Sequence, residues 1–306
     1  MKSKLVRALG IFLLLGANAF AGTVHVATYN VENYLDQPTE SRRFVKSDAA
    51  KSKIRESIRA LNPDVIALEE MGSTNALLEL RGSLKKDGLD FPFWEYVSGA
   101  DTNIHVAVMS KFPIVTRHPH TNDSFLLDGR RFRVSRGFAE VEIRAATNFT
   151  FTLIAAHLKS RRPSPAADEA EQRLQEAKIL RGIVDAKLAR DPNANLVVLG
   201  DFNDVKSSAS TKEIIGRGKL KLTDTRPAER NGDTDASENP RYEPRAVTWT
   251  HYYGVEDTYS RIDYIFLSPA LTRHWLKHGT YILTPPNWGT GSDHRPITIA
   301  FSTDEH

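Results

Sequence analysis

Five segments of this chain place acid, amide or imidazole side chains at the end of a short apolar run. They are Thr28-Tyr29-Asn30-Val31-Glu32-Asn33, Ile66-Ala67-Leu68-Glu69-Glu70, Leu199-Gly200-Asp201-Phe202-Asn203-Asp204, Arg261-Ile262-Asp263-Tyr264 and Gly291-Ser292-Asp293-His294-Arg295-Pro296. Apolar runs this short read as strands rather than helices. A fold that satisfies all five must gather the strand ends into one place. Carboxylates, amides and a histidine gathered in that way make a site for a hard cation with a proton-transfer group beside it.

Residues 1–21 stand apart from the rest. Lys2, Lys4 and Arg7 precede an apolar run from Ala8 to Leu15, and Ala19-Phe20-Ala21 is a small-x-small cleavage site. This pattern predicts a secretory signal peptide cleaved after Ala21, with an apolar core too short to span a bilayer. The expected location is therefore the periplasm or the exterior, with one domain over residues 22–306 and no stable membrane anchor or protein partner. The leader holds three bases and no acids, and the whole chain has a formal charge of +3, so the mature chain is close to neutral. Bulk charge thus gives no argument for nucleic acid, although a local basic rim could still bind it. The chain has no cysteine, which excludes thiol catalysis, cysteine-ligated zinc and iron–sulfur clusters. Any metal must bind through oxygen and imidazole.

Strands are expected at Val24–Asn30, Asp64–Leu68, Phe93–Val97, His105–Ser110, Phe112–Arg117 and Leu196–Gly200. Arg131–Ile143 and Asn148–His157 form a hairpin around Ala145–Thr147, and Ala246–Thr250, Ile262–Leu267 and Pro296–Phe301 close the fold. Helices are expected at Ser47–Leu61, where Ile54, Ile58 and Leu61 recur at helical spacing, at Thr74–Lys86 and at Ala166–Ala189. Thr225–Arg245 reads as a long surface loop. Mixed strands and helices with strand hairpins favour two packed sheets with helices outside them.

Each candidate side chain has a bland reading beside the chemical one. Asn30 and Glu32 share side-chain parity on an extended segment and suit oxygen ligation of Mg²⁺ or Ca²⁺, or are turn residues. Glu70 competes with Glu69, since neighbouring strand residues face opposite ways. Asp201 and Asn203 also share parity and could accept a proton from water and hold phosphate, or form an Asx-turn. Gly200 would let the backbone approach a ligand closely. His157 ends a strand and precedes Lys159, Arg161 and Arg162, a cluster that is either a solvated face or a phosphate grip. Asp263 and His294 could pair, the acid favouring the charged ring.

Taken in order, these segments resemble the motif series of the endonuclease/exonuclease/phosphatase superfamily, which includes DNase I, exonuclease III-type abasic-site enzymes, sphingomyelinases and inositol polyphosphate 5-phosphatases. The match spans residues 24 to 301. The resemblance implies a four-layer α/β/β/α sandwich, DNase I-like, and phosphoester hydrolysis dependent on Mg²⁺ or Mn²⁺. It implies Asn30 and Glu70 as metal residues with Glu32 and Asp293 auxiliary, and Asp201 as the residue that orients or deprotonates water. It further implies Asn203 as a phosphate binder, Asp263 and His294 as the acid–histidine pair, and His157 as the second histidine. Arg136 in Val-Ser-Arg-Gly-Phe resembles a phosphate-contacting arginine, and with Lys159, Arg161 and Arg162 it makes the expected substrate rim. The family usually has Gln-Glu where this chain has Glu69-Glu70, so either glutamate could be the ligand.

The leading expectation is an exported nuclease acting on DNA or RNA. The alternative is a phosphatase or a phospholipase C/sphingomyelinase-type enzyme. An exposed aromatic hairpin would favour the latter, and Trp249, Tyr252 and Tyr253 are the only candidates for one. The Trp-Cys motif of the inositol 5-phosphatases cannot occur without cysteine. A binding protein that has lost catalysis is the remaining class.

Overall fold

In the computed structural model, residues 22–230 and 246–304 are described. The expected signal peptide and most of the expected 225–245 loop lie outside them. The chain runs through β1 (Thr23–Tyr34), α1 (Asp48–Leu61), β2 (Val65–Met71), α2 (Thr74–Lys86), β3 (Phe93–Val97), β4 (His105–Ser110) and β5 (Ile114–His120). Next come β6 (Ser124–Leu127), β7 (Arg130–Arg133), β8 (Phe138–Ala146), β9 (Phe149–His157) and α3 (Glu169–Arg190). It continues through β10 (Leu196–Asp201), α4 (Ala209–Ile215), β11 (Thr223–Asp224), β12 (His251–Tyr253) and β13 (Thr258–Ser260). The last elements are β14 (Asp263–Leu267), α5 (Pro269–Thr272), β15 (Trp275–Ile282) and β16 (Ile297–Ser302).

Two six-stranded sheets form the centre, ordered β15-β16-β1-β2-β4-β3 and β11-β14-β10-β9-β8-β5. Alternate residues of each central strand face alternate layers. Val24, Val26, Val65, Ala67, Val197, Leu199, Leu153 and Ala155 meet between the sheets. Ala27, Tyr29, Ile66 and Leu68 instead pack under α1 and α2. On the other side, Val198, Ile154 and Phe266 pack under α3 and α4. Both faces of these strands are covered, which is why Val65–Leu68, Leu196–Leu199 and Leu153–Ala156 are apolar at every position rather than alternating. The result is the four-layer α/β/β/α sandwich that the motif order implies.

The helices follow their local signals. Ser47 caps α1 by accepting from the Ala50 amide, and Asn62 ends it in a left-handed conformation at φ 45°. Ile54, Ile58 and Leu61 lie on one face and are buried. Burying each contributes about 1.5–3 kcal/mol.

Three expectations need correction. Arg131–Ile143 is not one strand. Its first part pairs with β6 in a separate hairpin, and the chain turns through Gly137 at φ 71° before β8 begins. Ala246–Thr250 forms no strand. Thr250 instead donates its amide to Ser260 and accepts from the Arg295 amide, leading into the β12–β13 hairpin. Residues 225–230 are not a free loop either. Thr225 is buried with its hydroxyl on the Ile265 carbonyl, and the Glu229 amide donates to Val247.

Candidate active site

The site lies where the inter-sheet core turns from apolar to polar. The β1 row that begins Val24, Val26 continues as Thr28 and Asn30. The β2 row Val65, Ala67 continues as Glu69, the β9 row Leu153, Ala155 as His157, and the β10 row Val197, Leu199 as Asp201. Asn30 stands beside Glu69 in register, and Asp201 lies between His157 and Asp263. All of these side chains are buried. One end of the sandwich therefore concentrates polar groups without any loop having to carry them there.

Glu70, Glu32 and Asn203 reach the site by breaking the strand rule. Glu70 has φ 63°, Glu32 φ 44° and Asn203 φ 53°, all in the left-handed region. The ladders shift register between Leu68 and Met71 and between Asn30 and Tyr34. Such bulges re-aim side chains at sheet edges. Glu70 thereby accepts from the Asn33 amide at 3.0 Å and lies 3.5 Å from Asn30 Nδ2. Glu69 points the other way, into the inter-sheet core, where Thr28 Oγ1 donates to it at 2.7 Å. Burial, reinforced by the neighbouring Asp263 and Asp201 charges and opposed by the Thr28 hydrogen bond, pushes its carboxyl well above the usual range. Glu69 occupies the position where the resemblance expects glutamine, and Glu70 is the glutamate on the side of Asn30 and Asn33. Parity brought Asn30 together with Glu32, and Asp201 with Asn203, for the wrong reason, since the left-handed residues rather than alternation aim them. Asn203 also forms the Asx-turn, its amide donating to Asp201 Oδ1 at 2.8 Å.

Four charged or polar groups surround Asp201 Oδ2, among them Asn203 Nδ2, which donates to it at 3.4 Å. Asn30 Nδ2 donates to it at 3.0 Å, His157 Nε2 lies 3.5 Å away and His294 Nε2 3.8 Å away. Burial and the nearby Asp263 charge raise the Asp201 carboxyl to about 6, against the lowering effect of His294 and the Asn203 and Asn30 hydrogen bonds. His294 Nδ1 lies 2.9 and 3.1 Å from the Asp263 oxygens, and Thr250 Oγ1 donates to the same carboxylate at 2.6 Å. Burial opposes a charge on His294, but Asp263 and Asp201 outweigh it and hold the ring cationic. His157 is the opposite case. Burial, with the Arg136 and His294 charges near it, depresses its pKa well below the ordinary value and keeps it neutral.

Glu32 donates its amide to Asn30 Oδ1 at 2.9 Å, and the Glu70 and Asp293 carboxylates lie near enough to Glu32 for their charges to act on it. Burial and the Asp293 and Glu70 charges raise the Glu32 carboxyl, with Lys46 acting against them. That mutual repulsion is what a bound cation would relieve. Lys46 partly relieves it already, 3.7 Å from Glu32 Oε2 and donating to the Gly291 carbonyl at 2.6 Å. Sequence reading missed Lys46, which arrives from an irregular segment with no periodic signal. It also missed His251, whose Nε2 lies 3.5 Å from Asp293 Oδ2.

The expected substrate rim is only partly a rim. Arg136 is buried, donating to the Leu158 carbonyl at 3.0 Å with Nε 3.5 Å from Asp101. Lys159 folds back onto the Ser160 and Arg162 carbonyls. Arg161 lies against the site, donating to the Asn203 carbonyl at 3.0 Å, and Arg162 is exposed. Behind them Glu176 of α3 accepts from Ser135 and from the Lys159 amide, and Arg173 donates to Asp204, clamping three loops together. Gly200 does not serve a ligand approach. Its space is taken by the Ala156 carbonyl and by Glu69.

The sequence matches the profile of the Endonuclease/Exonuclease/phosphatase family over residues 27–294. No curated protein matches it. Among solved structures it is similar to truncated TDP2 of Caenorhabditis elegans, at 16% identity and a TM-score of 0.59, covering 91% of this chain and 97% of that one. The beta toxin 275-280 structure from Staphylococcus aureus shares 19% identity at a TM-score of 0.60, covering 90% and 99%. Sphingomyelinase C from Streptomyces griseocarneus shares 17% at a TM-score of 0.58, covering 92% and 100%. At these identities the likeness establishes the fold.

Proposed function

The chain belongs to the Endonuclease/Exonuclease/phosphatase family, and on that premise we propose that it is a metal-dependent phosphodiesterase that cleaves polynucleotides. When bound, a Mg²⁺ or Mn²⁺ held by Glu70 and Asn30, with Glu32 and Asp293 as auxiliary ligands, supplies positive charge to a phosphate oxygen. Asp201 takes the proton of the attacking water as the water oxygen bonds to phosphorus, the P–O bond to the leaving alkoxide breaks, and the alkoxide is protonated from solvent. The two Asp201 oxygens are aimed by the Asn203 amide and by Asn30 Nδ2. His294 keeps Nδ1 on Asp263 and turns Nε2 toward the charge that develops on the phosphate. Asn203 and His157 border the same Asp201 oxygen and line the place where the phosphate sits.

The observation that supports a polynucleotide over a small phosphodiester is the cleft beside Glu32 and Asn33. It has a volume of about 560 Å³ and is lined by Arg42, Arg43, Phe44 and Lys46. Phe44 is 88% exposed. Two guanidiniums beside an exposed ring offer partners for phosphates and a base face. A second reading has its own observation. The β12–β13 hairpin exposes Tyr253, Val255 and Tyr259, an apolar tip suited to a lipid phosphodiester. We further propose export after cleavage at Ala21. An intact-mass measurement on the secreted or periplasmic protein would reveal a chain starting at Gly22. Among the described residues no helix is long and apolar enough to cross a membrane.

A metal-titrated panel decides between the readings. It compares plasmid DNA, single-stranded DNA, RNA, bis(p-nitrophenyl) phosphate, a phosphomonoester and sphingomyelin. Metal-dependent cleavage of DNA or RNA is expected. Hydrolysis of sphingomyelin without nucleic-acid cleavage would support the lipid reading, and hydrolysis of nothing would leave a binding protein.

A further inference from the structure

One imidazole beside the site has no part in the reaction just described. His251 lies on β12 and is locked against the site by backbone pairing. It forms an antiparallel bridge with His294, and the Tyr252 amide donates to the Asp293 carbonyl at 3.0 Å. The His251 and His294 rings are neighbours, tilted by 46° with centroids 4.6 Å apart. Asp293 spans the two, with one carboxylate oxygen 3.5 Å from His251 Nε2 and the other 3.8 Å from His294 Nε2.

We propose that His251, Asp293 and His294 form a second metal site, selective for a borderline transition ion such as Zn²⁺, and that occupation of this site switches the hydrolase off. In a tetrahedral zinc site with metal–ligand bonds near 2.0–2.1 Å, neighbouring donors stand about 3.4 Å apart. The imidazole–carboxylate separations, to one Asp293 oxygen each, lie within a few tenths of that value, and one donor atom from each of the three residues lies within 4.8 Å of the others. The two imidazoles select against Mg²⁺, which prefers an all-oxygen shell, and favour zinc. The outer shell is also in place. His294 Nδ1 is bound to Asp263, the carboxylate–imidazole arrangement that directs Nε2 at a metal. His251 comes from an anchored strand, so the donors are placed before the ion arrives, and zinc binding releases the His294 Nε2 proton to solvent, which makes it tighter as pH rises. An ion there occupies the Nε2 that hydrolysis requires, which makes it an inhibitor rather than a second catalytic metal. The inhibition rests on the proposed phosphodiesterase activity, whereas the binding does not.

The test titrates Zn²⁺ into the folded protein by calorimetry, without Mg²⁺ and again with Mg²⁺ in excess, because Asp293 is shared with the oxygen site; the binding outcomes are read without Mg²⁺. Wild type is expected to bind one zinc per chain, and His251→Ala and His251→Gln to bind at least about tenfold more weakly. Rates on bis(p-nitrophenyl) phosphate, each normalised to the same variant's zinc-free rate, should show the variants resisting zinc at concentrations that inhibit wild type. Wild-type protein labelled with ¹⁵N at histidine guards against a variant that fails to fold, because zinc should shift two imidazole resonances, those of His251 and His294. Zinc affinity equal in wild type and variants, no zinc binding by wild type, or a shift of no ring or of His294 alone would overturn the site. Zinc bound as expected with no change in the normalised rate would overturn the switch. If no phosphodiester is hydrolysed at all, the proposed function fails while calorimetry still decides the site.

Discussion

Gly200→Ala is the sharpest structural test of how the site is built. Gly200 has φ +130°, and a Cβ there would stand 2.0 Å from the Ala156 carbonyl oxygen and 3.1 Å from Glu69 Oε1. Ordinary carbon–oxygen contact needs about 3.3 Å or more, so β10 must move away from β9 by more than about 1 Å. The obstacle is backbone in a paired ladder, Gly200 against Ala156, and cannot swing aside. Strain at this φ costs about 1–3 kcal/mol and overpacking about 1–3 kcal/mol. Reduced freedom of the unfolded chain returns about 0.4–1 kcal/mol. The expected net loss is therefore about 1–5 kcal/mol, read by urea unfolding. The next residue is Asp201, and a displacement of about 1 Å at a reacting group costs on the order of 10²-fold in rate. Turnover on bis(p-nitrophenyl) phosphate, measured well below the unfolding midpoint, separates this loss from instability. Gly82→Ala is the control. It lies within α2 with nothing inside 4 Å of its Cβ position, and should gain about 0.5–1 kcal/mol. Wild-type stability and turnover in Gly200→Ala would refute the reasoning.

Further outcomes follow from the same geometry. Glu70→Ala should abolish most metal-dependent hydrolysis with only partial rescue by excess Mg²⁺ or Mn²⁺, whereas full activity of wild type in chelator would remove the metal from the mechanism. His294→Ala should lower turnover by on the order of 10²–10³-fold, and wild-type kinetics would remove the ring from the reaction. An Arg42→Ala/Arg43→Ala variant should flatten the salt dependence of DNA binding by roughly one unit per lost phosphate contact while sparing a simple phosphodiester; equal loss on both would place these arginines in the core chemistry. Glu140 tests the electrostatics away from the site. Burial alone would raise it, but His120 and Lys187 hydrogen bonds bring it from the usual 4.5 down to about 2. A depressed carboxylate stabilises the fold above its unfolded pKa and loses that contribution as pH falls toward the folded value. The stability deficit of Glu140→Gln should therefore be full near neutrality and shrink between about pH 4.5 and pH 2; a deficit independent of pH would contradict it.

Much of this fold was legible because its central strands are covered on both faces. Phe93–Val97, His105–Ser110 and the helix Thr74–Lys86 lie where composition and turn signals put them. β15 was not legible. It is an edge strand with exposed Lys277 and His278, so its pattern lacks a continuous apolar run. The split at β7 and β8 was hidden because the hairpin strand Arg130–Arg133 is charged and mostly exposed. In the site, Asp201, His157 and Asp263 were readable as strand-end residues and stand side by side in the ladder. The choice of Glu70 over Glu69 was not, since it depends on a backbone in the left-handed region that no local propensity announces for glutamate. Lys46 and His251 come from elements with no pattern of their own, and only tertiary packing brings them in.

The position of β16 sets when this molecule can first act. The last strand lies inside its sheet between β15 and β1, pairing Val26 with Ile299 and Thr23 with Ser302. The first strand of the chain thus waits for the final one, and His294 is carried in with it. Synthesis delivers the chain from its amino end, so a growing polypeptide carries Asn30, Glu70, His157 and Asp201 long before it can arrange them. Translation itself works as a safety catch. A polypeptide that stops short of β16 lacks the strand that pairs with β1, so the proposed hydrolysis is expected only after β16 has docked.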